Sequence, residues 1–380
     1  MSLYRDLLKR IDQLSYGFPK SFIGADLLLI KKIFAEEDAR DYLLMGKTDE
    51  DGKFKPRYET AHEYAERNGF TDEEAKEKLD RMAMRGLIFR RHREHGDEYG
   101  QFPFVMGFLE WQGKRTGEKS WLWYTMLYMM FSRWGKRMTQ TMPFYRTIPQ
   151  RPQMVQGSVI KPYDNIEALL DKHTRFAVGQ CICRTMDRAI PGNKCNHPTE
   201  TCIETDDYAT FFIETGIGRE ITKEEALQIL RDGEKDGRII QATNSQDGEN
   251  FCSCCGCGCG MLNMRKLFPG PANNIWSNHY CEIDYDKCIG CGKCVSRCPF
   301  GYIKQEKKAT WTNANGKLVK KVTIDQNACL GCGLCVSTCP TKAMCLRQKP
   351  EDKLYTPPET YDDAMEIWEA ETKKDYNKFK

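Results

Sequence analysis

Two stretches near the C-terminal end of the sequence carry the same cysteine spacing. CIGCGKCVSRCP places Cys288, Cys291, Cys294 and Cys298 before Pro299, and CLGCGLCVSTCP places Cys329, Cys332, Cys335 and Cys339 before Pro340. Both read C-x2-C-x2-C-x3-C-P. Short x2 loops wrap three thiolates around one centre. Gly290, Gly292, Gly331 and Gly333 let the backbone turn tightly and bring amide groups towards sulfur. The fourth cysteine lies on the wrong side of its own loop and reaches the other centre, and the proline after it ends the segment. Zinc can use CxxC pairs, but two repeats of four cysteines with a trailing proline are poorly explained by zinc.

This pattern closely resembles bacterial two-cluster ferredoxins. The resemblance implies one [4Fe–4S] cluster on Cys288, Cys291, Cys294 and Cys339, and another on Cys329, Cys332, Cys335 and Cys298. The stretch between the repeats, GYIKQEKKATWTNANGKLVKKVTIDQNA, is longer than in the compact form of that family. Asn315-Gly316 is a hairpin signal with strand-like KLVKKVTI after it, so an inserted β-hairpin is expected. Its lysines, Lys304, Lys307, Lys308, Lys317, Lys320 and Lys321, either dock an acidic redox partner or are simply solvated. Cys281 and Cys345 flank the repeats and read as small buried residues beside a cluster rather than as ligands.

The chain has 380 residues, enough for more than one domain, and a near-balanced net charge of +3. That balance gives no bulk attraction to nucleic acid or to an anionic membrane. With 19 cysteines but a long chain and an opening MSLYRDLLKRIDQLSYG that is charged rather than an export signal, metal is expected in preference to disulfides. A cytoplasmic location follows as the expectation. The most apolar run, WLWYTMLYMMF from Trp121 to Phe131, is too short to span a bilayer. It reads as a buried or partner-facing helix, with a re-entrant or interfacial segment as the alternative.

A second cysteine constellation lies mid-chain. RFAVGQCIC alternates like a strand, which would turn Cys181 and Cys183 to one face, and Pro191-Gly192 supplies a turn that returns Cys195; Cys202 follows. Arg184 can pair with an anionic cluster, with a substrate carboxylate or with Asp187. His197 is a substitute ligand or a lone surface histidine. FCSCCGCGCG then packs Cys252, Cys254, Cys255, Cys257 and Cys259 into ten residues, with glycines that allow the backbone to fold back on itself. Five cysteines are one more than a cubane needs. One is spare, ligands are shared with Cys181–Cys202, or the cluster has an unusual ligand set; buried free thiols are the bland alternative. The whole order, C-x-C-R, spaced cysteines, a dense C-x-C-C run and a two-cluster ferredoxin, resembles multi-cysteine ferredoxin-like proteins of anaerobic bacteria and archaea that also carry an N-terminal winged-helix-like segment. The resemblance implies electron transfer and names no substrate. CSCCGCGC has glycine where that pattern leads one to expect another cysteine.

In the N-terminal third a helix ends near Asn68-Gly69. Thr71 and Glu74 form a capping box for the next helix, and LIFRRHREHGDEYGQFPFV reads as a hairpin turning near Gly96. Helix, turn, helix and hairpin make a winged-helix pattern. The second helix opens with Asp72, Glu73 and Glu74, a poor footprint for DNA, although the wing holds Arg90, Arg91 and Arg93. Arg146 and Arg151 suit an extended linker. TKEEALQILRDGEKDG is a further capped helix, with Thr222 and Glu225, and residues 357–380 read as a terminal amphipathic helix.

The expected fold is therefore α+β and multidomain. Residues 1–115 would be winged-helix-like, 116–160 an aromatic and methionine-rich helix with a linker, and 161–275 a central cysteine-rich α/β domain. Residues 276–350 would be a dicluster ferredoxin fold, and 351–380 a tail helix. The expected function is single-electron relay through two [4Fe–4S] clusters and one or two further Fe–S sites in the central domain. Redox proteins would be the partners, with the chain as a subunit of a larger complex as one option. The alternatives are an oxidoreductase with a substrate site or unusual cluster at the central cysteines, and a redox-sensing winged-helix regulator.

Overall fold

The computed structural model describes residues 2–48, 54–55, 58–150, 155–156, 160–193, 195–265, 275–313 and 315–376; Arg151 and part of the expected linker lie outside them. The chain mixes helices with several small sheets. Helices α1 (Ser2–Asp12), α2 (Ala25–Ile33) and α3 (Glu36–Leu44) are followed by α4 (Ala61–Asn68) and α5 (Asp72–Met84). Thr60 and Thr71 each close a full capping box, and α4 stops at Gly69, whose φ of 73° is left-handed. A three-stranded sheet joins β1 (Glu59–Thr60), β3 (Gly96–Gly100) and β2 (Phe89–Arg93).

The basic residues of this region face the chain's own carboxylates. Arg90 pairs with Asp80 and Glu214 at 2.7 Å each, Arg91 with Glu98 at 2.7 Å, and Arg93 with Asp207 at 2.6 Å. On α5, Lys76 meets Asp80, Lys78 meets Asp41 and Arg81 meets Glu37. Glu214 and Asp207 belong to the middle of the chain, so the hairpin is docked there rather than presented to solvent.

Helix α6 (Lys119–Phe131) is two-sided: Trp121, Leu122, Thr125 and Tyr128 are buried, whereas Trp123, Met130 and Phe131 are exposed. Among the described residues, no helix is long and apolar enough to cross a membrane. After α7 (Trp134–Gln140), β4 (Tyr145–Ile148) is not a free linker. It is the edge of a six-stranded sheet, and Arg146 is buried against Asp164 at 3.0 Å.

That sheet runs β8 (Gly218–Ile221), β6 (Phe176–Gln180), β7 (Glu200–Thr205), β10 (Asn250–Cys254), β9 (Ile239–Thr243), β4. Every pairing in it is antiparallel, which corrects the α/β expectation for the centre. Strands β7, β8 and β9 run the same way and are joined by crossovers, but each pair of them is separated by at least one intervening strand, so every hydrogen-bonded neighbour is antiparallel. One face, with Val178, Ile203, Ile240 and Phe251, packs under α8 (Ile166–Leu170) and α11 (Lys223–Lys235). The other carries cysteines and faces the N-terminal block. The helices α9 (Ile182–Arg188), α10 (Asp206–Glu214) and α12 (Gly260–Arg265) complete this part. One hydrophobic core runs from Leu7 through Tyr208 and Phe212 of α10 to Trp368, so the N-terminal block and the centre share an interior.

Beyond it, β11 (His279–Ile283) pairs with β16 (Met344–Gln348), which pairs with β5 (Val155–Gln156). Between them lie α13 (Lys293–Arg297), α14 (Leu334–Ser337) and the insertion. The insertion is a hairpin in two steps. β12 (Ile303–Gln305) pairs with β15 (Val322–Ile324), and β13 (Trp311–Thr312) with β14 (Leu318–Val319) beyond it. Helix α15 (Tyr361–Tyr376) returns to the N-terminal core, where Trp368 Nε1 donates to the Met142 carbonyl at 2.9 Å.

Candidate metal centres

In each C-terminal repeat a loop carries the first cysteines into a short helix, α13 or α14. Gly290, Gly292, Gly331 and Gly333 all have φ between 64° and 81°, a backbone that favours glycine. At Gly331 a Cβ would also run into the His279 carbonyl. Cys288, Cys291, Cys294 and Cys339 line one cavity. Burial, then the charges of Cys339 and Cys291, push the Cys288 thiol up. Burial, then Cys335, Cys329 and Cys298, push the Cys332 thiol up. Cys339 of the second repeat thus shares a cavity with the loop of the first, and the charge of Cys298 reaches Cys332 in the other. Backbone amides point at sulfur: Ala343 N–H to Cys339 Sγ at 3.2 Å, and Cys281 N–H to Cys329 Sγ at 3.4 Å. Cys281 and Cys345 are both buried, and Cys281 Sγ lies 3.4 Å from Cys335 Sγ. Four soft thiolates with amide donors around them are a donor set that fits a [4Fe–4S] cubane in each place.

The nine central cysteines divide into two groups. The division begins with a strand where the glycines suggested only a folded-back backbone. Residues Asn250–Cys254 form β10, so Cys252 and Cys254 share one face, and Cys252 stands directly opposite Cys202 on β7. The opposite error occurs upstream. The strand β6 stops at Gln180, Cys181 caps α9 and Cys183 lies within it, so the pair meets at a strand-to-helix turn rather than on a strand face. The result is a row of neighbouring thiols, Cys181–Cys183–Cys259–Cys254–Cys252–Cys202. Contacts from Cys183 and Cys254 bring Cys259 down to about 5. Cys255 and Cys257 turn the other way, to Cys195.

Arg184 lies between the two groups. It donates to the Ser253 carbonyl at 2.7 Å and to Thr201, not to Asp187. Burial opposes its charge, but Cys181, Cys254 and Cys255 outweigh burial and raise its pKa. Asp187 instead accepts from Asn193, and His197 Nδ1 meets Asp236 Oδ2 at 2.6 Å.

The central sulfurs and the C-terminal repeats meet in an apolar seam. Cys254, Cys259, Leu262 and Ile239 from one side pack with Leu330, Cys332, Leu334 and Phe300 from the other. Gly256 presses on Pro299: a Cβ there would lie 2.8 Å from the Pro299 carbonyl carbon and closer still to its oxygen. Arg297 fastens the edge by donating to the carbonyls of Lys235, at 3.0 Å, and of Glu234.

Sequence reasoning missed what lies at the other end of the row. A small cavity of about 20 Å³, room for one water, is lined by Glu110, Glu204, Glu249, Tyr145, Tyr208 and Tyr361 among others. Glu204 accepts from Cys202 Sγ at 3.4 Å and from Asn250, and Tyr145 Oη lies 3.5 Å from Cys252 Sγ. Burial pushes Glu110 up to about 7 and Glu204 and Glu249 well above the carboxylate range. The strand period placed Cys202 and Glu204 on one face and was the available signal; Glu110 had none.

Residues 287–343 match a family model described as a 4Fe-4S dicluster domain. No curated protein and no solved structure matches the chain. The stretch that holds the two repeats is thus a ferredoxin-type iron–sulfur domain.

Proposed function

We propose that this chain is an electron-transfer protein that passes single electrons between two ferredoxin-type [4Fe–4S] clusters and a further cluster held by the central six-cysteine row. Cys288, Cys291, Cys294 and Cys339 would hold one cluster, and Cys329, Cys332, Cys335 and Cys298 the next. The third would draw its ligands from Cys181, Cys183, Cys202, Cys252, Cys254 and Cys259. Such clusters supply one-electron storage at potentials set by hydrogen bonds, charge and solvent exposure. The protein's own groups do the rest. Amides of Cys281 and Ala343 donate to ligand sulfurs, Arg184 offsets negative charge between the central groups, and the apolar seam excludes water between Cys332 and Cys254.

The observation that carries this reading is the seam itself. A ligand of the second repeat, Cys332, shares one apolar cluster with Cys254 and Cys259 of the centre. At the outer end Cys291 is exposed, and the inserted hairpin covers the same loop, with Gln305 and Asn313 donating to the carbonyls of Gly290 and Ile289. Lys304, Lys307, Lys308, Lys317 and Lys320 of that hairpin are exposed, which suits an acidic redox partner. The paired arginines of the winged-helix-like region support a role in internal docking rather than in holding nucleic acid.

The test is iron and acid-labile sulfide on anaerobically purified protein, followed by reductive titration monitored by electron paramagnetic resonance. About twelve of each per chain, with magnetic interaction between centres, is expected. About eight of each would overturn the central cluster. One observation favours a second reading, that of a reductase: the acid-lined cavity beside Cys202 and Cys252, where protons can meet electrons.

A further inference from the structure

The row of six sulfurs leaves Cys195, Cys255 and Cys257 as a group of their own. Their three Sγ atoms all lie within 4.8 Å of one another, and Cys195 Sγ is 3.6 Å from Cys255 Sγ. Among the described residues no other set of three potential ligands is so compact, neither in the row nor in the two repeats. The distance discriminates between cofactors. Two metal–sulfur bonds of about 2.3 Å at a tetrahedral angle put sulfurs about 3.8 Å apart. In a cubane each thiolate binds a different iron, so the metal–metal separation is added and the sulfurs stand much wider.

We propose that Cys195, Cys255 and Cys257 bind a single thiophilic divalent cation, zinc or ferrous iron, with its fourth position open to a water or a small ligand from solvent. The surroundings fit such a site. Cys195 and Cys255 are buried, while Cys257 is exposed and leaves a way in. Gly258 N–H donates to Cys255 Sγ at 3.2 Å, and a Cβ at Gly258 would lie 2.9 Å from Cys195 Sγ, so that position must stay small. Arg188 fixes the Cys195 loop through the carbonyls of Cys195, at 3.1 Å, and His197, at 2.6 Å. His197 Nδ1 meets Asp236, and neither of its ring nitrogens belongs to the compact group of three sulfurs. Three thiolates and a divalent cation carry one net negative charge, and Arg184 stands beside Cys255 to balance it. Three protein ligands with an open fourth position is the arrangement of reactive rather than purely structural metal sites.

This inference is independent of the electron relay, and so is its test. Wild-type full-length protein and the variants Cys195→Ser, Cys257→Ser and Gly258→Ala are purified anaerobically and assayed for zinc, iron and sulfide, with visible absorbance reporting the clusters. Wild type is expected to hold about one metal per chain without matching sulfide, with X-ray absorption at that metal's edge giving three sulfurs at about 2.3 Å and one lighter atom. The serine variants should lose that metal and keep cluster iron, sulfide and absorbance. Gly258→Ala should hold the metal less tightly against a chelator. Joint loss of about four iron and four sulfide would mean a cubane on these cysteines and overturn the proposal. Wild type without the extra metal, or variants that retain it, would overturn it as well. A failure of the relay alone, with the central six-cysteine cluster absent, would leave these results unchanged.

Discussion

Glu110 offers a quantitative handle on the acid cavity. Its Oε2 accepts from the Gly107 amide at 3.1 Å, in a loop where Met106 has a left-handed φ of 62°. Burial lifts its carboxyl from 4.5 to about 7. The folded chain therefore holds a proton between pH 4.5 and 7 that the unfolded chain has released. Stability from this group is complete below pH 4.5 and is lost as pH rises through 7. A shift of that size corresponds to about 3 kcal/mol at most, since the cavity is open to solvent. Glu110→Gln keeps an acceptor for Gly107 and removes the titration. Anaerobic denaturant unfolding of both proteins at pH 4.5, 6, 7 and 8, followed by circular dichroism, reads the difference. The variant should gain on wild type from pH 4.5 to about 7 and level off by pH 8. A gap that stays constant with pH, or a wild type that gains on the variant as pH rises, would refute the assignment of a raised carboxyl.

Gly256→Ala should push Pro299 away and cost about 1–3 kcal/mol, with cluster content unchanged and the magnetic interaction between central and C-terminal centres weakened in paramagnetic resonance spectra. Cys298→Ser should disturb the centre on Cys329, Cys332 and Cys335 and spare the one on Cys288, Cys291 and Cys294, which the g-values of the remaining signals will tell apart. Arg184→Gln removes the cation facing both central groups. It should cost about 3–5 kcal/mol, and the central iron should be lost on dilution before the C-terminal iron, as followed by chelator-release kinetics.

The C-terminal iron–sulfur domain was legible because its signature is local. Three thiolates, two left-handed glycines and a proline sit within a dozen residues, so spacing alone states the geometry. The capping box at Thr71 and the turn at Gly96 were legible for the same reason. The central site was not. Which sulfurs meet depends on the register that sets Cys252 opposite Cys202, and on a strand that continues to Cys254 before the chain turns. A one-residue shift would send Cys252 and Cys254 to the other face. FCSCCGCGCG carries little local signal for strand, because its β-pairing is decided by β7 and β9. The acid cavity draws Glu110, Glu204 and Glu249 from three distant segments, and Tyr145 comes from a stretch that reads as linker until the sheet claims it.

The position of α15 sets an order of events during synthesis. Every cysteine in the sequence precedes it, the last being Cys345. Yet Tyr361 walls the acid cavity, Trp368 closes over Tyr16 and Phe144, and Gln246 is tied to the carbonyls of Pro357 and Pro358. A chain still leaving the ribosome has all its thiols available while this wall is missing, since domains assemble as their residues emerge. The wall of the acid cavity therefore closes after the thiols are made, whereas Cys257 and Cys291 stay exposed with α15 in place.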